Sequence, residues 1–201
     1  MSDAGPSQGA NYSPSVGRRH SVAAALATEA ASVGVQHPNA RLIESFYNAF
    51  ARRDGRAMAA CYGAEATFAD PVFGLRGAEI GAMWTMLCER GADLRVEARD
   101  IAADAHAGRA HWEAWYTFSA SGRPVHNEID ATFTFSDGVI ASHRDVFDLW
   151  RWSRMALGKK GTLLGWTPLV RKAIRKQARK SLDAWIARSP EHDLIDVPLS
   201  S

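Results

Sequence analysis

The sequence predicts an α+β fold, with N-terminal helices packed on the concave face of a cone-shaped, curved, mainly antiparallel sheet and a C-terminal helical extension. Apolar residues recur at helical spacing early in the chain, whereas alternation with a period of two dominates from about residue 94 to residue 148. Tight turns join these alternating segments, which favours antiparallel neighbours. A chain of 201 residues that is 46% hydrophobic can fill one core and carry tails.

Composition divides the chain into three segments. Residues 1–36 are rich in Ser, Gly, Ala and Pro and predict a disordered leader. Arg18-Arg19 precedes an Ala-rich run that is faintly like an export signal, but Glu29 interrupts the run, so we do not expect export. Residues 37–157 form the predicted folded domain. Residues 158–201 form a predicted basic amphipathic helical extension and tail.

Helices open the folded domain. Residues 38–53 carry an apolar stripe at helical spacing, and Pro38 suits a first helical turn. Residues 56–62 predict a short second helix after the break at Asp54-Gly55. Residues 77–90 predict a third helix that turns Ile80, Met83 and Trp84 inward.

Strands follow, starting with residues 66–71, which end at a proline, and continuing with residues 94–102 and 109–119. Residues 122–148 predict a hairpin with a tight turn at Ser136-Asp137-Gly138. On its return arm one face carries, in order, Val139, Ala141, His143, Asp145 and Phe147. A histidine and an aspartate are costly to bury among apolar neighbours without a purpose or a partner. We therefore expect this face to look into an enclosed apolar chamber.

The C-terminal third is basic. We expect a helix over residues 149–157, a loop at residues 158–161 and a helix over residues 167–187 that starts at Thr167-Pro168. One side of the last helix carries Val170, Ile174, Leu182, Trp185 and Ile186, and the other carries Arg171, Lys172, Arg175, Lys176, Arg179 and Lys180. Such a stripe favours packing on the chain's own domain or a second subunit over contact with an anionic membrane.

Net charge, cysteine spacing and the motifs that the sequence lacks limit the classes of function open to this chain. A net charge of +2 argues against a nucleic-acid partner for the whole chain. Cys61 and Cys88 lack metal spacing and indicate buried free thiols in a reducing, cytoplasmic compartment. The sequence has no phosphate-binding glycine loop, metal-ligand cluster or membrane-length apolar run, so we expect no cofactor and no metal.

Several motifs together resemble the nuclear transport factor 2 superfamily, and within it SnoaL-like polyketide cyclases, ketosteroid isomerases and limonene-epoxide hydrolases. They are Phe46-Tyr47, Asp54-Gly55, Ala66-Thr67-Phe68-Ala69-Asp70-Pro71, Gly138-Val139-Ile140 and His143-Arg144-Asp145-Val146-Phe147-Asp148. The resemblance covers roughly residues 38–157. It implies the cone fold and a homodimer formed through the outer sheet face, and it leaves the reaction open because this scaffold hosts several chemistries.

The resemblance to ketosteroid isomerases implies that Asp70, before Pro71, is a general base. Their oxyanion-binding tyrosine falls at Phe46, with Tyr47 adjacent. Their second oxyanion donor falls at Asp130 in an ungapped alignment, but the alternation that buries the neighbouring apolar residues turns Asp130 the opposite way.

The resemblance to limonene-epoxide hydrolases implies a different role for the last strand. His143-Arg144-Asp145-Val146-Phe147-Asp148 matches their Trp-Arg-Asp-Tyr-Phe-Asp, which makes Asp145 similar to the aspartate that activates water. Their partner Arg-x-Asp falls near Trp112 and Ala114, so the usual acid is absent unless Asp70 or His143 replaces it.

Three function hypotheses remain. The first is a cofactor-independent acid/base enzyme, an isomerase or cyclase, acting on a small hydrophobic carbonyl or ring compound. The second is an epoxide hydrolase, and the third is a non-catalytic ligand-binding or interaction module. The predicted catalytic residues are Asp145, Asp70 and His143. The predicted substrate-binding residues are Tyr47, Phe46, Trp84, Trp112, Tyr116, Asn127, Phe133 and Phe147.

Overall fold

The computed structural model of this chain describes residues 36–188, so residues 1–35 of the predicted leader and the end of the predicted tail lie outside the described residues. The helices are α1 (Pro38–Ala51), α2 (Gly55–Ala59), α3 (Ala78–Arg90), α4 (Leu149–Leu157), α5 (Lys159–Leu164) and α6 (Pro168–Ile186). The strands are β1 (Tyr62–Ala69), β2 (Gly74–Arg76), β3 (Arg95–Ala103), β4 (Ala107–Phe118), β5 (Arg123–Ser136) and β6 (Val139–Val146). None of these helices is long and apolar enough to cross a membrane.

The six strands form one curved sheet in the order β2-β1-β6-β5-β4-β3. All neighbours are antiparallel except β1 and β6, which run parallel. Helix α1 lies against β3 and β4 and buries Ile43, Phe46 and Phe50 on the concave face. The predicted α+β fold with helices on one face of a mainly antiparallel sheet is therefore confirmed.

The hairpin between β5 and β6 forms as predicted, with one correction. Asp137 and Gly138 both have positive φ, at 53° and 78°, as a two-residue hairpin turn of the primed type requires. Phe135 pairs with Ile140 but Thr134 pairs with Ser142, so Ala141 has no partner and forms a bulge. The prediction that Val139 and Ala141 share the inward face was wrong, because the bulge puts Ile140 inward.

Other predicted boundaries also need correction. The second helix ends at Ala59 and not at residue 62, and Tyr62 begins β1, four residues before the predicted strand. The short strand β2 was not predicted. The predicted loop at residues 158–161 is largely helical, since α5 runs from Lys159 to Leu164.

Helix α6 packs on α3 through its C-terminal half. Leu182 and Trp185 are buried, and the indole of Trp185 donates a hydrogen bond of 2.8 Å to Glu89. Arg179 forms an ion pair with Glu79 on α3. The predicted apolar side of the helix is thus buried in part, whereas Ile186, assigned to that side, is exposed.

Candidate functional site

The parallel pairing of β1 and β6 places the two predicted catalytic carboxylates side by side. Ala69 at the end of β1 pairs with Arg144 on β6, so the next residues, Asp70 and Asp145, follow at the same edge of the sheet. Both line one cleft. The structure therefore brings together two residues that are 75 positions apart in the sequence.

Asp145 and His143 are neighbours on the inward face of β6, as predicted. His143 Nε2 lies 2.9 Å from Asp145 Oδ1, and both side chains are almost completely buried. The indole nitrogen of Trp112 also reaches Asp145 Oδ1, at 3.3 Å. Both contacts fall on the same oxygen, and no described residue hydrogen-bonds to Asp145 Oδ2.

The hydrogen bonds fix the direction in which protons are shared around His143. The indole nitrogen of Trp84 can only donate, and it donates to the Tyr62 hydroxyl at 3.0 Å. The Tyr62 hydroxyl therefore donates its own proton to His143 Nδ1, at 2.6 Å. The remaining proton of a neutral His143 then sits on Nε2 and points at Asp145. This chain of donors, from Trp84 through Tyr62 and His143, ends on the carboxylate of Asp145.

The interior around His143 is packed with aromatic rings. Five rings lie 4.3 to 6.1 Å from the imidazole, centroid to centroid: Phe46, Tyr62, Phe68, Trp84 and Phe133. The expectation that His143 faces an enclosed apolar chamber needs correction, because these rings occupy the space beside the histidine. His143 is thus placed to act through Asp145, and it does not line the cleft that Asp145 lines.

Asp70 lies where β1 ends and the chain turns at Pro71. Its Oδ1 accepts hydrogen bonds from the backbone nitrogens of Val72, at 2.6 Å, and Phe73. Burial raises the pKa of Asp70 to about 6, although those two hydrogen bonds lower it, and the charge of Asp145 raises it further. A carboxyl group with that pKa can accept or release a proton near neutral pH.

The cleft at this edge has a volume of about 390 Å³ and is open on one side. Asp70, Asp145 and Phe147 line it, together with Arg144 on β6 and Arg171 and Arg175 on α6. Among the described residues, no carboxylate forms an ion pair with any of these arginines. The cleft is therefore more polar than the enclosed apolar chamber that we expected.

Tyr47 has a hydroxyl group without a hydrogen-bond partner in the described part of the chain, although it is buried. Burial, followed by the charge of Asp145, raises the pKa of Tyr47 well above its usual value. A buried hydroxyl without a partner is uncommon in folded proteins. Tyr47 is therefore an unused hydrogen-bond donor that lies within electrostatic reach of Asp145.

The remaining predicted substrate-binding residues lie in different places. Phe46, Trp84, Trp112 and Phe133 are buried in the aromatic core. Tyr116 accepts a hydrogen bond from Trp152 and lines a second, shallower cleft. Asn127 pairs in register with the buried Ala114, on the inner face of the sheet. Only Phe147 of this predicted set lines the cleft with the two acids.

Sequence reasoning missed three residues of this region. The sequence predicts Tyr62 at the end of a helix, although Tyr62, Ala64, Ala66 and Phe68 alternate as a strand does. The sequence predicts Arg171 and Arg175 on a basic helix face, and in the structure both line the cleft. No signal within β1 or β6 indicates them, because only the packing of α6 brings them there.

A possible metal-ligand group lies on the outer face of the sheet. Glu113, His126 and Glu128 bring one ligand atom each within 4.8 Å of one another, the one such group in residues 36–188. His126 lies 2.6 Å from Glu113, while Arg99 and Arg151 pair with Glu113 and Glu128. A metal ion would have to compete with these cations, so this group gives no reason to assign a metal.

Comparison with known proteins matches residues 43–143 to the family described as the SnoaL-like domain. No curated protein sequence matches the chain. An LEH-like epoxide hydrolase from M. tuberculosis is 24% identical in sequence, with a TM-score of 0.50, and the alignment covers 66% of this chain and 95% of that one.

Two further solved structures share the fold. An NTF2-like protein of unknown function from Burkholderia pseudomallei is 16% identical, with a TM-score of 0.53 and coverage of 60% and 98%. A protein with a ketosteroid isomerase-like fold from Catenulispora acidiphila, solved with trimethylamine, is 14% identical, with a TM-score of 0.53 and coverage of 63% and 97%. At these identities the likeness shows the fold, and the chemistry rests on this chain's own side chains.

Proposed function

This chain belongs to the SnoaL-like domain family of the nuclear transport factor 2-like superfamily, and on that premise we propose that it is a cofactor-independent acid/base enzyme. Its substrate is a small hydrophobic carbonyl or ring compound, and its reaction is isomerisation or cyclisation by proton transfer. The observation that carries the proposal is that Asp70 and Asp145, from two parallel strands, line one cleft.

Asp70 is the base in this mechanism. Its pKa of about 6 leaves it ionised at neutral pH and strong enough to remove a proton from carbon next to a carbonyl group. Removal of that proton moves negative charge onto the carbonyl oxygen and protonates Asp70. Return of the proton to another carbon completes an isomerisation without consuming any other reactant.

Asp145 is the second proton-carrying group. His143 and Trp112 both hold its Oδ1, which leaves Oδ2 for the substrate. A carboxyl group fixed in this way is already oriented for proton transfer, and such positioning lowers the barrier to reaction. We assign His143 and Tyr62 to positioning Asp145, because neither lines the cleft.

The negative charge that forms on the substrate oxygen needs positively polarised groups nearby. Arg171 and Arg175 line the cleft and form no ion pair with a described residue. Donors that are already in place where charge develops often supply the largest single part of catalysis. The hydroxyl of Tyr47 is a further donor within electrostatic reach of Asp145.

Epoxide hydrolysis is the second candidate. In this reaction Asp145 takes a proton from water, the water oxygen attacks an epoxide carbon, and the carbon–oxygen bond opens to give a diol. The step needs an acid that protonates the leaving oxygen, and the motif comparison left that acid unassigned. Asp70 favours this candidate because it shares the cleft with Asp145 and its pKa is raised to about 6.

A non-catalytic ligand-binding or interaction module is the third candidate. It is favoured by the packing of five aromatic rings around His143, which leaves the cleft as the place for a ligand. Under this hypothesis a ligand would bind but the two acids would be dispensable.

One screen distinguishes the three candidates. The wild-type chain is assayed against 3-oxo-Δ5 ring ketones and racemic epoxides, with Asp145→Asn and Asp70→Asn as variants and Asp130→Asn as a matched control on the outer face. We expect each cleft substitution to lower kcat/KM by at least about 100-fold and the control to change little. Activity that survives both cleft substitutions would overturn the acid/base assignment, and binding without turnover would leave the third candidate.

We propose that the protein is located in the cytoplasm and assembles as a homodimer. Cys61 and Cys88 are free and buried, which suits a reducing compartment. The outer face of the sheet, where Trp115 stacks on His126 at 4.6 Å, is the proposed contact between copies. Light scattering during size-exclusion chromatography measures the mass, and a monomer at all concentrations would contradict the assembly.

A further inference from the structure

Large apolar side chains are exposed together where α5 ends and α6 begins. We call this cluster the α5–α6 corner: Leu163, Leu164, Trp166 and Leu169, which are 70%, 53%, 63% and 78% exposed. Seven large hydrophobic residues are exposed in the described part of the chain, and four of them lie in this seven-residue stretch. Single exposed apolar residues are ordinary, but a contiguous group of them marks an interaction surface.

Close backbone packing holds the corner in place. A Cβ atom added to Gly161 would lie 1.8 Å from the carbonyl oxygen of Ser153 on α4. One added to Gly165 would lie 2.4 Å from the carbonyl oxygen of Gly161. Thr167 then caps α6 by accepting a hydrogen bond from the backbone nitrogen of Val170. The apolar side chains therefore project from a tightly packed turn.

The chain segment that contains the corner is strongly and uniformly basic. The 34 residues from Leu149 to Leu182 contain ten Lys and Arg and no Asp or Glu. The other 167 residues contain fourteen Lys and Arg against 22 Asp and Glu. The basic residues nearest in sequence to the corner are Lys159, Lys160, Arg171 and Lys172, and all four are exposed. The small net charge of the chain conceals this separation of charge.

We propose that the α5–α6 corner docks this protein on the surface of an anionic lipid membrane. Leu and Trp side chains at the centre enter the boundary between headgroups and acyl chains, and the flanking Lys159, Lys160 and Lys172 bind lipid phosphates and carboxylates. The apolar face that the sequence suggested for such contact is a different one, because Leu182 and Trp185 are buried against the domain.

A second copy of the chain fits this surface poorly. A two-fold contact would place the same patch on both copies and bring two sets of basic residues together. An anionic membrane supplies the opposite charge over a wide area and an apolar layer beneath it. Charge complementarity therefore favours the lipid surface.

Flotation of the full chain with lipid vesicles tests the proposal. The vesicles are phosphatidylcholine alone or phosphatidylcholine with phosphatidylserine. We expect binding only to the second kind, weakened by added salt. Replacing Lys159 and Lys160 by Ser should weaken binding about 30-fold, given the usual contribution of a basic residue near an anionic surface. Trp166→Ser with Leu169→Ser should weaken it about tenfold or more.

The control is Ile186→Ser, which removes an exposed apolar side chain at the other end of α6 and should leave vesicle binding unchanged. All substituted residues are exposed, so the thermal unfolding midpoint should stay the same. Absence of binding to anionic vesicles would overturn the proposal, as would binding that neither double variant weakens. If the wild type does not bind vesicles and the Trp166/Leu169 double variant loses self-association, the corner is instead a contact between two copies of the chain.

Discussion

At the scale of single residues, Asp70, the proposed base, also makes the stability of the folded protein depend on pH. The pKa of Asp70 in the folded state, about 6, lies above the ordinary aspartate value of 3.8, so the folded state holds the Asp70 proton more tightly than the unfolded state does. The contribution of Asp70 to stability is therefore largest below about pH 4, falls as pH rises towards 6, and stays low above that. A group kept for stability alone would not be expected to behave in this way.

Asp70→Asn should make the protein more stable at pH 8 and leave it unchanged near pH 4. Asn keeps the oxygen that accepts from Val72 and Phe73 but removes the buried charge. We expect a gain of about 1–2 kcal/mol in the free energy of unfolding at pH 8, after allowance for partial exposure to solvent. Urea unfolding at both pH values measures it.

Asp148→Asn is the matched control for that measurement. Asp148 also accepts two backbone hydrogen bonds through Oδ1, from Trp150 and Arg151, but it is exposed. Its substitution should bring no gain that grows with pH. Equal behaviour of the two variants would show that burial of Asp70 is not the cause.

Tyr62→Phe should destabilise the protein and disturb the tautomer of His143. The substitution leaves His143 Nδ1 and the indole nitrogen of Trp84 without their partner, at a cost of about 1–3 kcal/mol. Nitrogen NMR should show the proton of His143 on Nε2 in the wild type and a mixed state in the variant. Tyr116→Phe removes a hydroxyl that, among residues 36–188, bonds to Trp152 alone, so it should have a smaller effect on stability and none on His143.

At the scale of secondary-structure elements, the sequence indicated the hairpin and the inward face of β6 but not the bulge. His143 and Asp145 follow Ala141, so the two-residue period holds from the bulge to the strand end. Before the bulge the inward and outward positions along β6 are reversed, because one extra residue shifts each side chain to the opposite face of the sheet. A period of two cannot reveal where a strand contains an unpaired residue, since register depends on the partner strand.

The predicted helix boundaries were wrong for a related reason. Tyr62 is apolar enough to continue the stripe of α2, and only its pairing with Ile140 on β6 makes it the start of β1. Helix α5 was not predicted because its segment includes two glycines, and glycines usually break helices. Here Gly161 is needed because no larger residue fits against Ser153.

Gly161→Ala tests that packing directly. The added methyl group would overlap the backbone of Ser153, so α5 must move away from α4. We expect a loss of about 1–3 kcal/mol in the free energy of unfolding. Gly74→Ala is the control, since nothing lies within 4 Å of the added atom, and chemical denaturation of both variants gives the comparison. Equal stability of the two would show that α5 does not pack as described.

At the scale of the whole molecule, the cleft is assembled from parts that lie far apart in the chain. Asp70 lies inside the segment that matches the SnoaL-like domain, residues 43–143, while Asp145, Arg171 and Arg175 lie beyond it. The family motifs predict the two acids as catalytic residues, and the structure places both of them in one cleft. The arginines could not be predicted, because their position depends on how α6 packs against α3.

The proposed mechanism depends on two carboxyl groups that share a cleft and influence each other's charge. Carbon NMR of Asp70 as a function of pH, in the wild type and in Asp145→Asn, tests this most directly. We predict an apparent pKa of about 6 for Asp70 in the wild type and a lower value in the variant, because the charge of Asp145 contributes to the shift. An Asp70 pKa near 4 in the wild type, or a value that Asp145→Asn leaves unchanged, would contradict the proposed pairing of the two acids.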